Sequence, residues 1–550
     1  MRKYSGYLLL GLIVLFYFAG NSLWMKMQHN DYVLCFDDAV HFSAALDAYD
    51  NLQQHRFARN YNAPLPPYIT AVLLFLFGKQ QVANVILVAN LLYLALALLL
   101  TWKIGEYIAD RQTGLLAAVL LSLYPAMYGL SRLYGQGEYA VIVAAAFNIY
   151  CLLRSRRFTD LKWSLLYGVS VGIGLLTKDT FIAFFAGPLL YIAASALKEK
   201  RELTVYANIV AALFIGAIMA MPHYARKEIL AKVAHELISE NTGPWYRFEN
   251  LKIFTIGLSD ELLSPPFFLA FLFGLWHFLQ NYKKRDEKAA LLLWFLVPWL
   301  VLVFMPHRKM TEYSVPYLPA IALMSAAGLS SVKTAFRKYI FCALAVLALV
   351  QYADFSYGAG PGLYKRQLRI KLRGHYDKIL YYYHLNEDIL YYKDNRQEPY
   401  DRVVKALEKK MVQRPGKHEI LVALEKNVPM LYPFVLQDIG RLRSLPFVRI
   451  TDTVFAPNDM LTPDQFDSID MVLYSGVNEF GSPEYLAYQY ESTLNITEGH
   501  PAMKEEVLEH LNRIDRKRYE EQFSLFARRL AHREYIGTVG KNAIYLYTKD

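Results

Sequence analysis

Residues 4–24 read YSGYLLLGLIVLFYFAGNSLW and contain no charged side chain. Because a helix needs about 20 mostly apolar residues to cross the hydrocarbon core of a bilayer, this stretch predicts a transmembrane helix. The basic pair Arg2-Lys3 in front of it suits a cytoplasmic end. A signal peptide would have a shorter apolar run and a small-residue cleavage site after it, so we expect residues 4–24 to be an uncleaved anchor.

Further apolar runs follow along the first two thirds of the chain. They lie near 82–102, 113–130, 138–153, 161–177, 180–197, 205–222, 264–281, 289–305, 314–331 and 338–353. Together with residues 4–24 they predict a polytopic α-helical membrane protein of about eleven spans. The composition agrees, since 55% of the residues are hydrophobic. Cys35, Cys151 and Cys342 lie far apart, which excludes a disulfide scaffold and a cysteine-based zinc site.

The distribution of charge indicates how the spans are oriented. Residues 1–353 carry 31 Lys and Arg against 21 Asp and Glu, whereas residues 354–550 carry 28 of each, so the net charge of +10 belongs to the membrane part. Loop cations set the orientation of spans, and this charge therefore argues against nucleic-acid binding. With the N-terminus in the cytoplasm, alternating spans place all dense basic clusters inside. These clusters are residues 103–111, 154–157, 198–202, 283–288 and 333–338.

An odd number of spans places everything after Tyr352 on the non-cytoplasmic side of a plasma or inner membrane. We therefore expect a transmembrane domain over residues 1–353 and a C-terminal non-cytoplasmic α/β domain over residues 354–550. Short β-rich runs alternate with helix-like segments in the second domain. The runs are 419–424, 448–454, 470–474 and 543–548, and the helix-like segments include 402–411 and 503–529. Asn495-Ile-Thr497 matches a glycosylation sequon whose use the sequence does not decide.

Ionisable residues gather where the predicted spans meet the outer face. The first group is Cys35-Phe-Asp-Asp-Ala-Val-His41. If this segment is a helix, Asp37 and His41 share a face at positions i and i+4. A carboxylate such as Asp37 or Asp38 suits a catalytic base at this place. Adjacent aspartates on a solvated loop also occur without any chemical role, so the residues alone leave both interpretations open.

Two further groups lie at the ends of predicted spans. Arg132 and Glu138 flank the entry to the span 138–153, where an interfacial anchor and a functional acid are both compatible with the sequence. Lys178 ends the run 161–177 and is followed almost at once by the next run. This leaves no room for a long loop, so the lysine is held at the interface, where it can meet a lipid phosphate or pair with Asp179.

A basic outer loop, Pro306-His307-Arg308-Lys309, departs from the rule that cationic loops lie inside. Such an exception indicates an anionic ligand, and the fork of an arginine fits a phosphate group well. His307 and Arg308 are therefore candidate binding residues.

Residues 62–78 predict an apolar helix with prolines near its start, and this helix is short for a span. It either dips into the membrane from the outer face or lies on the membrane surface.

The order of these features resembles the GT-C glycosyltransferases, most closely the protein O-mannosyltransferase-like and lipid A aminoarabinose transferase-like groups. The features are Asp37-Asp38 after the first span, the Pro66-Pro67 helix ending in Phe77-Gly78, Arg132 and Glu138 at the fourth span, Gly174-Leu-Leu-Thr-Lys178, and Arg308 followed by Tyr313-Ser-Val-Pro-Tyr-Leu-Pro319. The resemblance covers residues 1–353. It implies a polyprenyl-phosphate sugar donor and transfer, on the non-cytoplasmic face, to a lipid, glycan or protein acceptor.

The resemblance also implies roles for particular residues. Asp37 is expected to be the general base that deprotonates the acceptor hydroxyl, with Asp38 and Glu138 as supporting acids. Our hypothesis is that Lys178, Arg308 and Arg132 stabilise the lipid phosphate and that one back-side displacement inverts the anomeric centre.

In the family the acidic pair usually reads Asp-Glu with a downstream aromatic residue, whereas this chain has Asp37-Asp38 and His41. No cofactor is required by this scheme. A divalent cation, Mg²⁺ or Mn²⁺, held by Asp37, Asp38 and Glu138 stays an open alternative.

The main alternative from another functional class is a transporter or flippase of an amphipathic, lipid-linked substrate. Transporters commonly carry internal repeats and broken helices at the midplane, and we see no repeat in this sequence. Charges gather at one interface rather than along a path through the membrane, which favours surface chemistry. A scaffold that merely anchors the C-terminal domain would need far fewer spans.

Overall fold

A computed structural model describes residues 4–28, 36–56, 63–132, 136–199, 202–229, 248–304, 311–359, 367–372, 375–381, 397–412, 420–424, 433–443, 445, 448–451, 470–476, 532–539 and 542–548. The chain divides into two compact units. The first unit comprises Met1–Met27, Ala44–Gly78 and Ala83–Lys393, and the second comprises Gln28–Ser43, Lys79–Val82 and Asp394–Asp550.

Helices dominate the chain up to Tyr357. They are α1 (Ser5–Gln28), α2 (Phe36–Gln53), α3 (Leu65–Phe77), α4 (Val82–Ile108), α5 (Arg111–Leu123), α6 (Pro125–Leu130), α7 (Gln136–Arg154), α8 (Leu161–Thr177), α9 (Ile182–Glu199), α10 (Leu203–Tyr224), α11 (Phe248–Gly257), α12 (Pro265–Asn281), α13 (Arg285–Phe304), α14 (Leu318–Ser330) and α15 (Thr334–Tyr357). A 3₁₀ turn at Asp179–Phe181 joins α8 to α9, a π-helical turn at Leu258–Leu262 follows α11, and a 3₁₀ turn at Thr311–Tyr317 precedes α14.

A helix lies at every one of the predicted spans. Among the described residues, six helices are long and apolar enough to cross a membrane, or seven if one bent pair is a single span. The six are Ser5–Met27, Val82–Ile108, Asp179–Glu199, Leu203–Tyr224, Arg285–Phe304 and Thr334–Tyr357, and the bent pair is Phe254–Asp260 with Pro265–Asn281. The polytopic helical architecture is thus confirmed, while the number of eleven spans stays a prediction.

Local sequence explains why some predicted spans give shorter helices. The predicted span 113–130 is interrupted at Tyr124, because Pro125 disfavours helical backbone at the residue before it and begins α6. The predicted span 314–331 starts as the 3₁₀ turn Thr311–Tyr317, which contains Pro316.

Glycines allow the helices of the first unit to approach closely. Gly274 of α12 lies against α14, where a Cβ atom would sit 2.7 Å from the Ser325 Cα atom. Gly105 of α4 and Gly114 of α5 meet in the same way. In lipid there is no hydrophobic force that drives helices together. Close backbone packing of this kind is therefore a main cause of helix association in a membrane. Large aromatic side chains fill the rest of the core, including Trp102, Trp294, Tyr124, Tyr139, Tyr167 and Tyr317.

The hairpin β1 (Gln367–Leu372) and β2 (His375–Tyr381) follows α15 and is grouped with the first unit. The predicted β-rich runs do not include this hairpin, although Leu368, Ile370 and Leu372 alternate with polar and charged residues as in a strand. The predicted domain boundary at residue 353 stays a prediction.

The second unit contains a mixed sheet flanked by α16 (Gln397–Val412) and α17 (Pro433–Leu442). Its strands, in the part of the chain that the structure describes, are β3 (Ile420–Leu424), β4 (Val448–Thr451), β5 (Met471–Gly476), β6 (His532–Val539) and β7 (Asn542–Thr548), in the order β4-β3-β5-β7-β6. Strand β3 is parallel to β4 and β5, whereas β7 is antiparallel to β5 and β6. Met471, Val472 and Leu473 of the central β5 are buried.

Four of these strands coincide with predicted β-rich runs, and α16 coincides with the predicted helix 402–411. The edge strand β6 is missed by the prediction, because its His, Arg and Glu residues hide the apolar alternation. The predicted helix 503–529 and the sequon at Asn495 lie outside the described residues. Within this unit the Arg441 guanidinium of α17 lies 3.4 Å from the Ser43 hydroxyl, and the Gln80 amide donates to the Leu442 carbonyl over 2.6 Å.

Candidate active site

Lys178 lies at the sharp turn between α8 and α9. Helix α8 ends at Thr177, and the Lys178 backbone N–H donates to the Gly174 carbonyl over 3.1 Å. The next residues form the 3₁₀ turn, and the Phe181 ring packs directly on Gly174, where any larger residue would collide with it. The glycine thus permits the tight turn that fixes Lys178 between two helices.

The Lys178 ammonium forms an ion pair with the carboxylate of Glu138. Glu138 lies in the first turn of α7, where an acidic residue is favoured by the helix dipole. The lysine side chain is 27% exposed and the glutamate side chain 13%, so the pair is mostly shielded from solvent. The sequence leaves Asp179 open as a partner for this lysine, and the structure instead pairs it with a residue on another helix.

Tyr313, in the 3₁₀ turn before α14, covers the same ammonium. The Lys178 Nζ atom lies 4.9 Å from the centre of the Tyr313 ring, a cation–π distance. Burial lowers the pKa of Lys178, but the nearby Glu138 carboxylate, Tyr313 and Glu312 together raise it by more. The pKa of Lys178 therefore lies above the ordinary value for a lysine. The lysine is therefore a stable cation at neutral pH.

Asp179 has its own partner beside this pair. The Tyr224 hydroxyl, at the end of α10, donates to the Asp179 carboxylate over 2.7 Å. The same hydroxyl lies 2.9 Å from the Leu175 carbonyl of α8. Tyr224 thereby connects the end of α10 to the turn that carries Lys178.

Arg132 lies just after α6 and is almost completely buried, with 3% of its surface exposed. Its Nε atom donates to the Asn21 side-chain oxygen over 3.2 Å, and its Nη2 atom donates to the Ser356 hydroxyl. The guanidinium also lies 5.2 to 5.7 Å from the ring centres of Trp24, Tyr128 and Tyr352. Its Nη1 atom has no partner among the residues that the structure describes.

The acidic pair lies on the predicted helix. Asp37 and Asp38 occupy the first turn of α2, and their side chains lie outside the described part of the structure. His41 follows one turn later on the same helix, at the predicted i, i+4 spacing from Asp37, and is half-buried. His307 and Arg308 lie outside the described residues, in the segment directly before Thr311.

Within the described residues no group of three or more His, Cys, Asp and Glu side chains is arranged to hold a metal ion. The side chains of Asp37 and Asp38 are not part of that set. The sequence identifies Lys178, Glu138 and Arg132 separately. It does not identify Asn21 and Ser356, which accept from Arg132, or Tyr224, which donates to Asp179. Asn21 sits inside the first apolar run, and a lone amide within a predicted span is the signal that points to a buried polar partner.

Three comparisons with known proteins bear on the class of this chain. The family model described as dolichyl-phosphate-mannose-protein mannosyltransferase matches residues 61–225, which include Arg132, Glu138 and Lys178. Two curated relatives are undecaprenyl phosphate-alpha-4-amino-4-deoxy-L-arabinose arabinosyl transferases of Pectobacterium carotovorum and Pectobacterium atrosepticum. They are 28% identical over 271 residues and 27% identical over 266 residues. These matches span 45% and 44% of this chain and 44% of each relative.

Solved structures extend the likeness over the whole chain. ArnT from Cupriavidus metallidurans bound to undecaprenyl phosphate superimposes with a TM-score of 0.56 at 11% identity, covering 98% of both chains. The oligosaccharyltransferase of Archaeoglobus fulgidus tethered to an acceptor peptide gives a TM-score of 0.51 at 12% identity, covering 92% of this chain and 72% of that chain. At these identities the likeness establishes the fold.

The fold is that of the GT-C glycosyltransferases, and the resemblance found in the sequence is confirmed by all three comparisons. The chain is an integral membrane protein. The chain matches the two curated arabinosyl transferases along less than half of their length. The match to the family model, over residues 61–225, includes the segment that carries the Glu138–Lys178 pair.

Proposed function

We propose that this protein is a glycosyltransferase that moves a sugar from a polyprenyl-phosphate donor to an acceptor hydroxyl. The reaction takes place on the non-cytoplasmic face of an inner or plasma membrane. The names of the matched family and of the curated relatives support this class of donor, since each refers to a polyprenyl phosphate. A lipid, a glycan or a protein hydroxyl serves as the acceptor.

The observation that carries the proposal is the shielded cation at Lys178, fixed by the turn after α8 and lying within the part of the chain that the family model matches. A lipid phosphate at a membrane interface needs a cation that keeps its charge while partly desolvated. Lys178 meets this requirement, because Glu138 and Tyr313 keep the ammonium charged. The basic residue Arg308 comes shortly before Tyr313 in the sequence and is proposed to act on the same phosphate.

The chemistry is a single displacement at the anomeric carbon. The acceptor oxygen forms a bond to that carbon while the bond from the carbon to the phosphate oxygen breaks. The acceptor proton passes to the carboxylate of Asp37, and the electron pair leaves with the polyprenyl phosphate. Negative charge that develops on the leaving phosphate is stabilised by Lys178 and Arg308, and the configuration at the anomeric carbon inverts.

Two further predicted residues keep proposed roles in this scheme. Asp38 is the supporting acid beside Asp37. Arg132 donates to an anionic group from Nη1, the guanidinium nitrogen that lacks a partner among the described residues. The C-terminal α/β domain is proposed to recognise the acceptor. A phosphate leaves without protonation, so the scheme needs no second carboxylate as a general acid.

A transfer assay tests the proposal. Purified protein in liposomes is given polyprenyl phosphates that carry radiolabelled sugars, and release of label from the lipid is measured for the wild type, Asp37→Asn and Lys178→Ala. Loss of the base is expected to lower the turnover rate by roughly 10²–10⁴-fold. Loss of the cation is expected to lower the turnover rate by roughly 10²–10³-fold and to weaken donor use, so that a higher donor concentration is needed for half-maximal release.

Matched controls come from the same helices. Asp47→Asn changes an exposed aspartate of α2, and Lys162→Ala changes an exposed lysine at the start of α8. Both controls are expected to retain wild-type turnover. Normal activity of Asp37→Asn would remove Asp37 from the mechanism. Folded wild-type protein that releases label from no donor, yet moves lipid-linked sugar across the bilayer, would overturn the enzyme assignment in favour of a flippase.

A further inference from the structure

The cation proposed to bind the donor phosphate is already neutralised by the protein. The Lys178 ammonium is paired with the Glu138 carboxylate, and this pair is mostly shielded from solvent. Tyr313 covers the ammonium from another side and contributes a ring face rather than a charge. A phosphate that approaches Lys178 therefore meets a carboxylate at the same place.

We infer that Glu138 is a competing internal anion, which pairs with Lys178 when no phosphate is bound there and weakens the binding of polyprenyl phosphate at this lysine. This inference rests on the proposed function. An ammonium has three N–H donors, so it can contact both a carboxylate and a phosphate oxygen. Two anions held within a few ångströms of each other at a partly buried site nevertheless repel strongly, and the carboxylate must move aside as the phosphate binds.

Such a competing anion has an effect at two stages of the reaction cycle, before the donor binds and after the sugar is transferred. Before the donor binds, the carboxylate prevents Lys178 from being an unpaired, half-buried cation, which is a costly arrangement. After transfer, the leaving polyprenyl phosphate carries more negative charge than the sugar-bearing donor, and it would bind a bare lysine more tightly than the donor does. Return of Glu138 to Lys178 speeds the release of that product, a step that limits turnover in many enzymes.

The position of Glu138 fits this exchange. It lies in the first turn of α7, while Lys178 lies after the last turn of α8. The two groups thus come from separate helix ends, and an ion pair joins them. Side-chain rotation of the glutamate can break this pair without unwinding either helix. Glu138 is accordingly a positioning residue that acts on substrate through Lys178.

The test is a binding measurement that does not depend on transfer. Purified full-length protein in nanodiscs is titrated with undecaprenyl phosphate, and the dissociation constant is obtained for the wild type, Glu138→Gln, Lys178→Ala and the double variant. The glutamine keeps the shape of the side chain and removes its charge. We expect Glu138→Gln to bind at least about tenfold more tightly than the wild type, because the competing charge is gone. The gain should vanish in the double variant.

Steady-state kinetics provide a second readout that a structural role would not produce. Glu138→Gln is expected to lower the KM for the donor and to lower kcat, with stronger inhibition by added undecaprenyl phosphate. Glu199→Gln is the matched control, because it removes a carboxylate from another ion pair, that with Arg157, and should leave the dissociation constant unchanged. If the glutamine variant does not fold, Glu138→Asp keeps the charge on a shorter side chain, and its affinity should lie above that of the wild type.

The outcomes separate this inference from the proposed function. If Glu138→Gln, or Glu138→Asp in its place, binds undecaprenyl phosphate as weakly as Lys178→Ala or no more tightly than the wild type, Glu138 does not compete with the phosphate and the inference is wrong. The proposed function would survive that result, since Lys178 still binds the phosphate. If the wild type does not bind undecaprenyl phosphate, or Lys178→Ala binds it equally well, the proposed phosphate site itself fails and the inference fails with it.

Discussion

Arg132 illustrates at the scale of one residue how a charge is held inside an apolar helical bundle. Its guanidinium donates to Asn21 of α1 and Ser356 of α15 and lies beside aromatic rings of the same region. Asn21 in turn donates to the Ser131 hydroxyl over 2.9 Å, which extends the polar network to the residue before Arg132. Within a membrane protein such a network is stable only when its members satisfy one another.

Replacing this arginine is therefore expected to destabilise the protein apart from any effect on phosphate binding. Arg132→Ala leaves buried polar groups of Asn21 and Ser356 without their donor, at a cost of about 1–3 kcal/mol each. Arg132→Lys keeps the charge but loses the planar fork, so it should rescue little. We expect both variants to melt about 5 °C or more below the wild type, measured by thermal unfolding in detergent.

Arg285→Ala, which removes an exposed arginine from the start of α13, is the control and should melt like the wild type. Equal melting temperatures for Arg132→Ala and the wild type would contradict a structural role for the network. The lysine variant separates charge from geometry, because full rescue would mean that the charge alone matters.

The ionisable residues of the site could be predicted from the sequence, but their partners could not. Lys178 stands out because it lies between two apolar runs, and Glu138 stands out because it is the first residue of another apolar run. Their pairing depends on how α7 packs against α8, which brings together residues forty positions apart in the chain. Sequence spacing gives Asp179 as the nearer candidate, and the Tyr224 hydroxyl that engages Asp179 comes from a third helix.

At the scale of the element, the apolar runs alone locate the helices well. Where the boundaries differ, a proline or a turn explains the difference, as at Tyr124 before Pro125. Strand β6 is harder to predict, because an edge strand carries charged residues such as Arg533 and Glu534 that obscure its alternation. Helix α17 has only ten residues and begins at Pro433. Its amphipathic pattern is therefore short, and the sequence does not predict this helix.

The crossing of α12 and α14 gives a prediction about helix packing. A Cβ atom at Gly328 of α14 would collide with the Gly274 carbonyl of α12, so Gly328→Ala must push the two helices apart. Close glycine contacts of this kind drive helix association in membranes. Overpacking of this kind is expected to cost roughly 1–3 kcal/mol of folding stability. We therefore expect Gly328→Ala to lower the melting temperature in detergent by several degrees.

The control for this substitution is Gly11→Ala in α1, where a Cβ atom would have no neighbour within 4 Å. Alanine favours helix more than glycine does, so this variant should melt at or slightly above the wild-type temperature. A loss of stability in Gly11→Ala as large as that in Gly328→Ala would mean that the contact between α12 and α14 is not the cause.

At the scale of the whole molecule, the distribution of charge and the fold both separate a membrane part from a C-terminal α/β part. The full net charge of +10 falls in residues 1–353, which also carry the transmembrane helices and the Glu138–Lys178 pair. The C-terminal α/β elements carry balanced charge and no apolar helix long enough to span, within the residues that the structure describes. Catalysis is accordingly proposed for the membrane part and acceptor recognition for the C-terminal part.

Membrane topology is the prediction that decides where the proposed reaction occurs. The positive-inside rule places residues 283–288 in the cytoplasm, and an odd number of spans places the C-terminal domain on the opposite side. We replace Cys35, Cys151 and Cys342 by serine and introduce Lys283→Cys or Glu398→Cys, both at exposed positions. In intact spheroplasts a membrane-impermeant maleimide should label Glu398→Cys and leave Lys283→Cys unlabelled, and inverted vesicles should give the reverse.

Both cysteines must become reactive when the membrane is dissolved, which controls for sites that are hidden within the protein. Labelling of both positions from the same side would mean that an even number of spans separates them from one another, in conflict with the predicted eleven. The C-terminal domain would then lie in the cytoplasm with the basic loops. In that case a non-cytoplasmic acceptor could not be recognised by this domain, and the site on the outer face would have to select its acceptor alone.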